Sequence, residues 1–164
     1  NLMNVELVSL CEEMIEAFKN KALEKHISLQ LETTEPEIEM KADPDRLAQV
    51  IGNLLENAIR HTPETGAVRL KLETTALTVS DSGAGFPKAS LELGNEGVQR
   101  VLERFYRAEG SRNRSLGGSG LGLAIAHAIM KLHAGQLHAS NGSNGGVVRL
   151  TWGARALSKV NKGG

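Results

Sequence analysis

The chain has 164 residues, 40% of them hydrophobic and 23% charged, enough to bury the core of one ordinary soluble domain. Nineteen basic and nineteen acidic residues cancel to a formal charge of zero. That balance supplies no field for nucleic acid, and no basic stripe interleaved with aromatics occurs, so a nucleic-acid partner is not expected. No apolar run approaches the roughly 20 residues that span a bilayer, so no direct membrane contact is expected either. The amino end does not read as a signal peptide. Cys11 is the only cysteine, which rules out an internal disulfide and makes a reducing compartment the simplest inference. It lies among apolar positions of a helical pattern and reads as core packing rather than as a reactive thiol.

The elements follow in chain order. Asn4 is a candidate cap for a helix over residues 5–25, with Leu7, Cys11, Met14, Ile15, Phe18 and Ala22 at helical spacing. The chain thus starts inside a helical pattern, which suggests a fragment of something longer. Residues 28–32 alternate as a strand, and a second short strand fits 37–41. Asp43-Pro44 is a strong helix start, an N-cap followed by proline at the first helical position. In the helix predicted to run to about His61, Leu47, Val50, Ile51, Leu54, Leu55, Ala58 and Ile59 make one continuous apolar stripe. Asn53 and Asn57 lie one turn apart off that stripe, where asparagine is a mediocre helix former.

Residues 67–73 and 76–80 read as a hairpin, followed by the glycine-bearing loop Asp81-Ser82-Gly83-Ala84-Gly85-Phe86-Pro87. A short helix is expected over 98–104, and 106–118, rich in arginine, serine and glycine, reads as a mobile loop. A helix over 121–133 starts at Gly117-Gly118-Ser119-Gly120-Leu121-Gly122. Residues 136–140 and 147–152 make a last hairpin. The domain is expected over 1–155, with 156–164 a flexible tail. No internal repeat or interdomain linker is found.

Amides at the start of a glycine-rich helix form a natural anion site. The run at Gly118 is not a P-loop, because no Gly-Lys-Ser/Thr follows. Nor does it follow a strand, as a dinucleotide fingerprint requires. The order of features carries more. Asn53-Leu54-Leu55-Glu56-Asn57-Ala58-Ile59-Arg60-His61 precedes Asp81-Ser82-Gly83-Ala84-Gly85. Glu103-Arg104-Phe105-Tyr106-Arg107 comes next, and Gly118-Ser119-Gly120-Leu121-Gly122-Leu123 last. This series resembles the N, G1, F and G2 boxes of the sensor histidine kinase catalytic, ATP-binding domain, within the superfamily of gyrase, heat-shock 90 chaperones, histidine kinases and MutL. The resemblance covers nearly the whole chain.

The resemblance implies an α/β (α+β) two-layer sandwich, the Bergerat-type fold, with a mixed β-sheet covered on one face by three helices and a mobile ATP lid. It implies bound ATP and Mg²⁺, with Asn57 as metal ligand, since an amide oxygen suits the hard ion. Asn53, grouped with Asn57 as catalytic, would face the phosphates or their water shell, and Arg60 would reach the phosphates. His61 stands where the family often has an aromatic residue near the nucleotide, and reads equally as a partly buried end-of-helix histidine. Asp81 would accept from the adenine amino group, while Gly83 and Gly85 let backbone approach the base. Phe105 and Tyr106 would anchor the lid. Gly118, Ser119, Gly120 and Gly122 would close over the triphosphate, with Leu121 and Leu123 holding the loop to the core. Lid residues Arg107, Arg112 and Arg114 stay outside the core assignment.

Hydrolytic members carry a glutamate four residues before the metal asparagine, and this chain has Asn53 there. Glu56 points about 100° away around the helix. An amide cannot take a proton from water near neutral pH, so ATP is expected to be held for transfer. The family's phosphoacceptor, a histidine followed by Glu or Asp on a dimerising helical hairpin, is missing: His26, His61, His127, His133 and His138 are followed by Ile, Thr, Ala, Ala and Ala. The expected partners are therefore that hairpin of the same parent protein and a response regulator. The resemblance further implies a cytoplasmic domain of a parent anchored in the inner membrane. Two alternatives stay open: an anti-sigma-factor-type protein serine kinase, and a nucleotide-binding interaction module without transfer activity. Between Gly85 and Phe105 the chain is several residues longer than is usual in the family, around 91–97.

Overall fold

A computed structural model describes residues 1–104, 106 and 121–153. In chain order the elements are β1 (Met3–Glu6), α1 (Leu7–Glu24), β2 (Ser28–Thr33), β3 (Glu39–Ala42), α2 (Pro44–His61), β4 (Ala67–Glu73), β5 (Ala76–Asp81), α3 (Lys88–Leu91), a single 3-10 turn at Arg100–Leu102, α4 (Gly122–Leu132), β6 (Gly135–Asn141) and β7 (Gly146–Trp152). The main sheet has the order β2-β4-β5-β7-β6. Only β2 and β4 run parallel; the other neighbours are antiparallel, so the sheet is mixed as expected. The parallel pair is what demands a crossover, and β3 and α2 supply it.

The sheet is apolar on one face. Val68, Leu70 and Leu72 of β4 are buried, while Ala67, Arg69 and Lys71, which alternate with them, are exposed. Leu150 of β7 continues the inner face, and Arg149 stands on the outer one beside Glu73 and Thr78. Helices α1, α2 and α4 cover the inner face. All seven stripe residues of α2 are buried, none more than 5% exposed. Truncating one of its large leucines would cost about 2–5 kcal/mol. Cys11 is fully buried in this core, and burial, helped by Glu6 and Glu12, pushes its thiol up to about 12. It packs, and does not react.

The chain's first segment differs from the helix expected there. Asn4 pairs with Lys41 in a separate two-stranded sheet of β1 and β3, so it caps nothing. Glu6 is the cap: its carboxylate accepts from the Val8 N–H at 2.8 Å and the Ser9 N–H at 3.1 Å. It also accepts from Ile38 N–H at 3.3 Å, fastening β3 to the start of α1. A longer acidic side chain thus does what asparagine does elsewhere by intrinsic preference.

The helix expected over 98–104 is reduced to the 3-10 turn, and α3 precedes it unexpectedly. The extra residues around 91–97 form a tight reversal. Gly94 N–H donates to Val98 O at 2.8 Å, Gly97 N–H to Gly94 O at 3.1 Å, and Leu93 bridges Gln99. The expected loop over 106–118 lies, except for Tyr106, outside the described residues, as does the expected tail over 156–164.

Candidate functional site

Helix α2 starts as the sequence predicts. Asp43 Oδ1 accepts from the Asp45 and Arg46 N–H groups at 3.0 and 3.2 Å, and Pro44 follows where no donor is needed. This fixes the register that places Asn53, Asn57 and Arg60 at the edge of the buried stripe, each half-buried. The carboxyl end of α2 is held from α1: Lys25 Nζ donates to the carbonyls of Ile59 at 2.8 Å and Arg60 at 3.3 Å. A cation there satisfies end carbonyls and complements the helix dipole.

Asn53 is turned toward α4. Its Nδ2 donates to the Gly122 carbonyl at 3.1 Å, which joins the middle of α2 to the start of α4. Asn57 makes no side-chain hydrogen bond among the described residues, so its amide oxygen is free for a ligand. Glu56 is exposed and lies 3.7 Å from Lys21 Nζ, on the α1 side and away from Asn53.

Asp81 ends β5. One carboxylate oxygen, Oδ1, accepts from Gly83 N–H at 2.9 Å and Gly146 N–H at 3.2 Å. The other, Oδ2, has no hydrogen-bond partner among the described residues. Gly83 packs on the end of α2, where a Cβ would lie 2.3 Å from the His61 carbonyl oxygen. Only glycine lets the loop come that close. Gly85 has φ +82°, the left-handed region that glycine adopts freely. His61 is held below its ordinary value of 6.5 by desolvation and then by Arg60, with Lys25 adding and Asp81 opposing.

Two contacts therefore bring three of the four motifs together: Asn53 to Gly122, and His61 to Gly83. Leu121 precedes α4, and Leu123 is buried in the core. Tyr106 is half-buried, its N–H 3.4 Å from Glu103 O. Phe105, Gly118, Ser119 and Gly120, with Arg107, Arg112 and Arg114, lie outside the described residues. Three residues escaped the sequence reading: Gly146, whose N–H holds Asp81, and the amides Gln99 and Asn141. Asn141 accepts from Phe86 N–H at 2.7 Å and donates to Phe86 O at 2.9 Å. Gln99 does the same for Ala139, both bonds at 2.8 Å.

A mixed sheet under three helices, with an amide-bearing helix facing a glycine loop anchored by aspartate, defines an ATPase-type nucleotide-binding domain. The fold is that of histidine kinase catalytic domains. The catalytic domain of histidine kinase ThkA superposes with a TM-score of 0.76 at 26% identity, covering 92% of this chain and 93% of that one. Full-length ShkA in complex with AMPPNP gives 0.69 at 25% identity, covering 92% of this chain and 30% of that one. Among sequences, the signal transduction histidine-protein kinase BaeS of Escherichia coli (strain K12) is 38% identical over 147 residues, 87% of this chain. The sensor protein CreC of the same organism is 36% identical over 154 residues, 90% of this chain. Residues 42–155 match the family described as histidine kinase-, DNA gyrase B-, and HSP90-like ATPase, and the chain belongs to that family. It spans 30% of the length of BaeS and of CreC.

Proposed function

We propose that this chain holds ATP with Mg²⁺ and donates the γ-phosphoryl group to a histidine on a separate dimerisation hairpin of its parent sensor kinase, for onward transfer to a response regulator. The observation that carries this is the clustering of the N, G1 and G2 motifs along one face of α2. From Asn53 to His61 the helix rises about 12 Å, room for a nucleotide lying along it with base at Asp81 and phosphates at Asn57 and Gly122. Asp81 Oδ2 is the free acceptor for an adenine amino group. Arg60, half-buried and without an ion pair among the described residues, is the cation for the phosphates.

The residues fit an ion that arrives with the nucleotide. Among the described residues no group of three or more His, Cys, Asp or Glu stands ready for a metal. One free amide oxygen, Asn57, matches the way Mg²⁺ is held by few protein ligands and by phosphate oxygens. When bound, the ion neutralises charge on those oxygens. Asn57 then fixes where the γ-phosphoryl group sits for in-line attack.

The same geometry argues against water as acceptor. Asn53 cannot act as a base, and its amide is engaged by Gly122. Glu56 faces Lys21. In the proposed step an imidazole nitrogen of the acceptor histidine attacks the γ-phosphorus, the bond to the β–γ bridging oxygen breaks, and ADP leaves. The neighbour ThkA is known in complex with the response regulator TrrA, at a TM-score of 0.71 and 26% identity. Placement in a membrane-anchored parent, facing the cytoplasm, belongs to this proposal. No helix among the described residues is long and apolar enough to cross a membrane.

Incubation with ATP labelled on the γ-phosphate tests the reading. The chain alone is expected to stay unlabelled and to release little free phosphate. Adding the parent's acceptor hairpin yields an acid-labile, alkali-stable label on the hairpin. Rapid phosphate release, stable self-labelling, or an acid-stable label on a serine of a partner would each overturn it.

A further inference from the structure

The loop that begins at Asp81 is gripped at both ends by one cross-strand pair. Asn141 and Gly146 stand opposite each other in the β6–β7 ladder. Gly146 N–H bonds Asp81 Oδ1 at 3.2 Å, at the start of the loop. Asn141 bonds both backbone groups of Phe86, at 2.7 and 2.9 Å, at its end. Between them Gly85, at φ +82°, leaves no room for a side chain, since a Cβ would lie 2.7 Å from Asn141 Oδ1. Two residues along β6, Ala139 turns both its backbone groups to the open edge of the sheet, and Gln99 satisfies both. Gln99 also donates to Leu91 O at 3.2 Å, so the segment from Phe86 to Gln99 is laced onto β6 at two points. Each amide imitates one residue of a missing strand, accepting and donating at once.

The geometry points to Asn141 as a positioning residue for base recognition. By fixing Phe86 while Gly146 fixes Asp81, it sets the direction in which Asp81 Oδ2 faces the bound base. Without it the loop still folds, because β5 and Gly83 remain in place, but Oδ2 is no longer held where one exocyclic amine meets it. Gln99 is the second anchor, holding the distal end of the same segment. This rests on the reading of Asp81 as the adenine contact, and the test separates the two.

The test compares ATP with purine riboside triphosphate, which lacks the 6-amino group, by competition against a fluorescent ATP analogue in the presence of Mg²⁺. The wild-type chain is expected to prefer ATP by about tenfold. Asp81→Ala removes that preference. Asn141→Ala weakens ATP by about tenfold and purine riboside triphosphate by less than about twofold, so the preference collapses. Asn141 is exposed, so the variant keeps its thermal unfolding temperature; Asn141→Ser is the milder truncation with the same expected result. A preference lost in Asp81→Ala but kept in both Asn141 variants, whether or not both ligands weaken together, overturns the role of Asn141 alone. Absence of any preference in the wild type, or its survival in Asp81→Ala, overturns the base contact and the inference with it.

Discussion

The Asn53 side chain donates to the backbone carbonyl of Gly122 across 3.1 Å, tying the middle of α2 to the first residue of α4. The bond is directional in chemistry as well as geometry, because only the amide nitrogen can serve. Asn53→Asp removes the donor and sets a carboxylate against a carbonyl in a half-buried place. It is expected to cost about 1–3 kcal/mol, more than Asn53→Ala, which loses the interhelical bond but adds no repulsion. Denaturant unfolding of the nucleotide-free chain measures both. Equal stability of Asn53→Asp and wild type would mean that the bond holds nothing together.

Asn57, one turn on, behaves in the opposite way. Nothing among the described residues bonds its side chain, and asparagine is a poorer helix former than alanine. Asn57→Ala is therefore expected to leave stability unchanged or raise it by about 0.5 kcal/mol. The same substitution is expected to weaken ATP with Mg²⁺ by about tenfold, and to leave binding in EDTA equal to wild type. A residue that costs its helix stability and repays it only with metal present is a ligand. Equal losses with and without Mg²⁺ would remove Asn57 from that role.

Acid is expected to destabilise the fold in two stages. His61 is depressed by desolvation, then by Arg60, and His127 by desolvation, then by Lys131, both below 6.5. The unfolded chain then binds more protons than the folded one as pH falls through 6.5, so stability is flat above that value and declines below it. For Glu6, burial works upward, but the bonds from Val8, Ser9 and Ile38 outweigh it and hold the group below 4.5. Asp43 is likewise lowered, first by the Arg46 N–H. Their stabilisation is present above the unfolded values and lost as pH falls through the folded ones. Unfolding curves across about pH 3–8 check this, and replacing both histidines by glutamine is expected to flatten only the upper stage.

Much of this was legible in the sequence because it is written in local period. Seven apolar residues from Leu47 to Ile59 fix which face of α2 is buried, and that alone puts Asn53 and Asn57 at its margin. Gly83 and Gly85 were legible because loop chemistry restricts the residues that fit. What escaped was non-local or ambiguous. Asn141 meets Phe86 across 55 positions and Gln99 meets Ala139 across 40, and a side-chain amide standing in for a strand leaves no repeat to find. At the amino end, intrinsic capping preference favours Asn4 over Glu6. Pairing of Val5 with Met40 in the β1–β3 sheet extends the backbone there and hands the cap to the glutamate. Tertiary pairing decided what propensity left nearly even.

Asp81 offers the sharpest test of which nucleotide the site prefers. Its Oδ1 accepts from the Gly83 and Gly146 N–H groups, and Oδ2, without a hydrogen-bond partner among the described residues, is the acceptor proposed for the base. In Asp81→Asn the two backbone donors still require an oxygen, so the amide is expected to keep its oxygen inward and turn its nitrogen outward. A donor then faces the 6-amino group of adenine, and two donors cannot pair. The 6-oxo group of guanine, by contrast, accepts from that nitrogen. ATP is therefore expected to weaken by more than about tenfold, while GTP holds or gains, so that the preference narrows or inverts. Competition titrations with the two nucleotides decide it. Parallel losses for ATP and GTP would show a collapsed loop rather than a changed acceptor, and unchanged ATP affinity would place the base elsewhere.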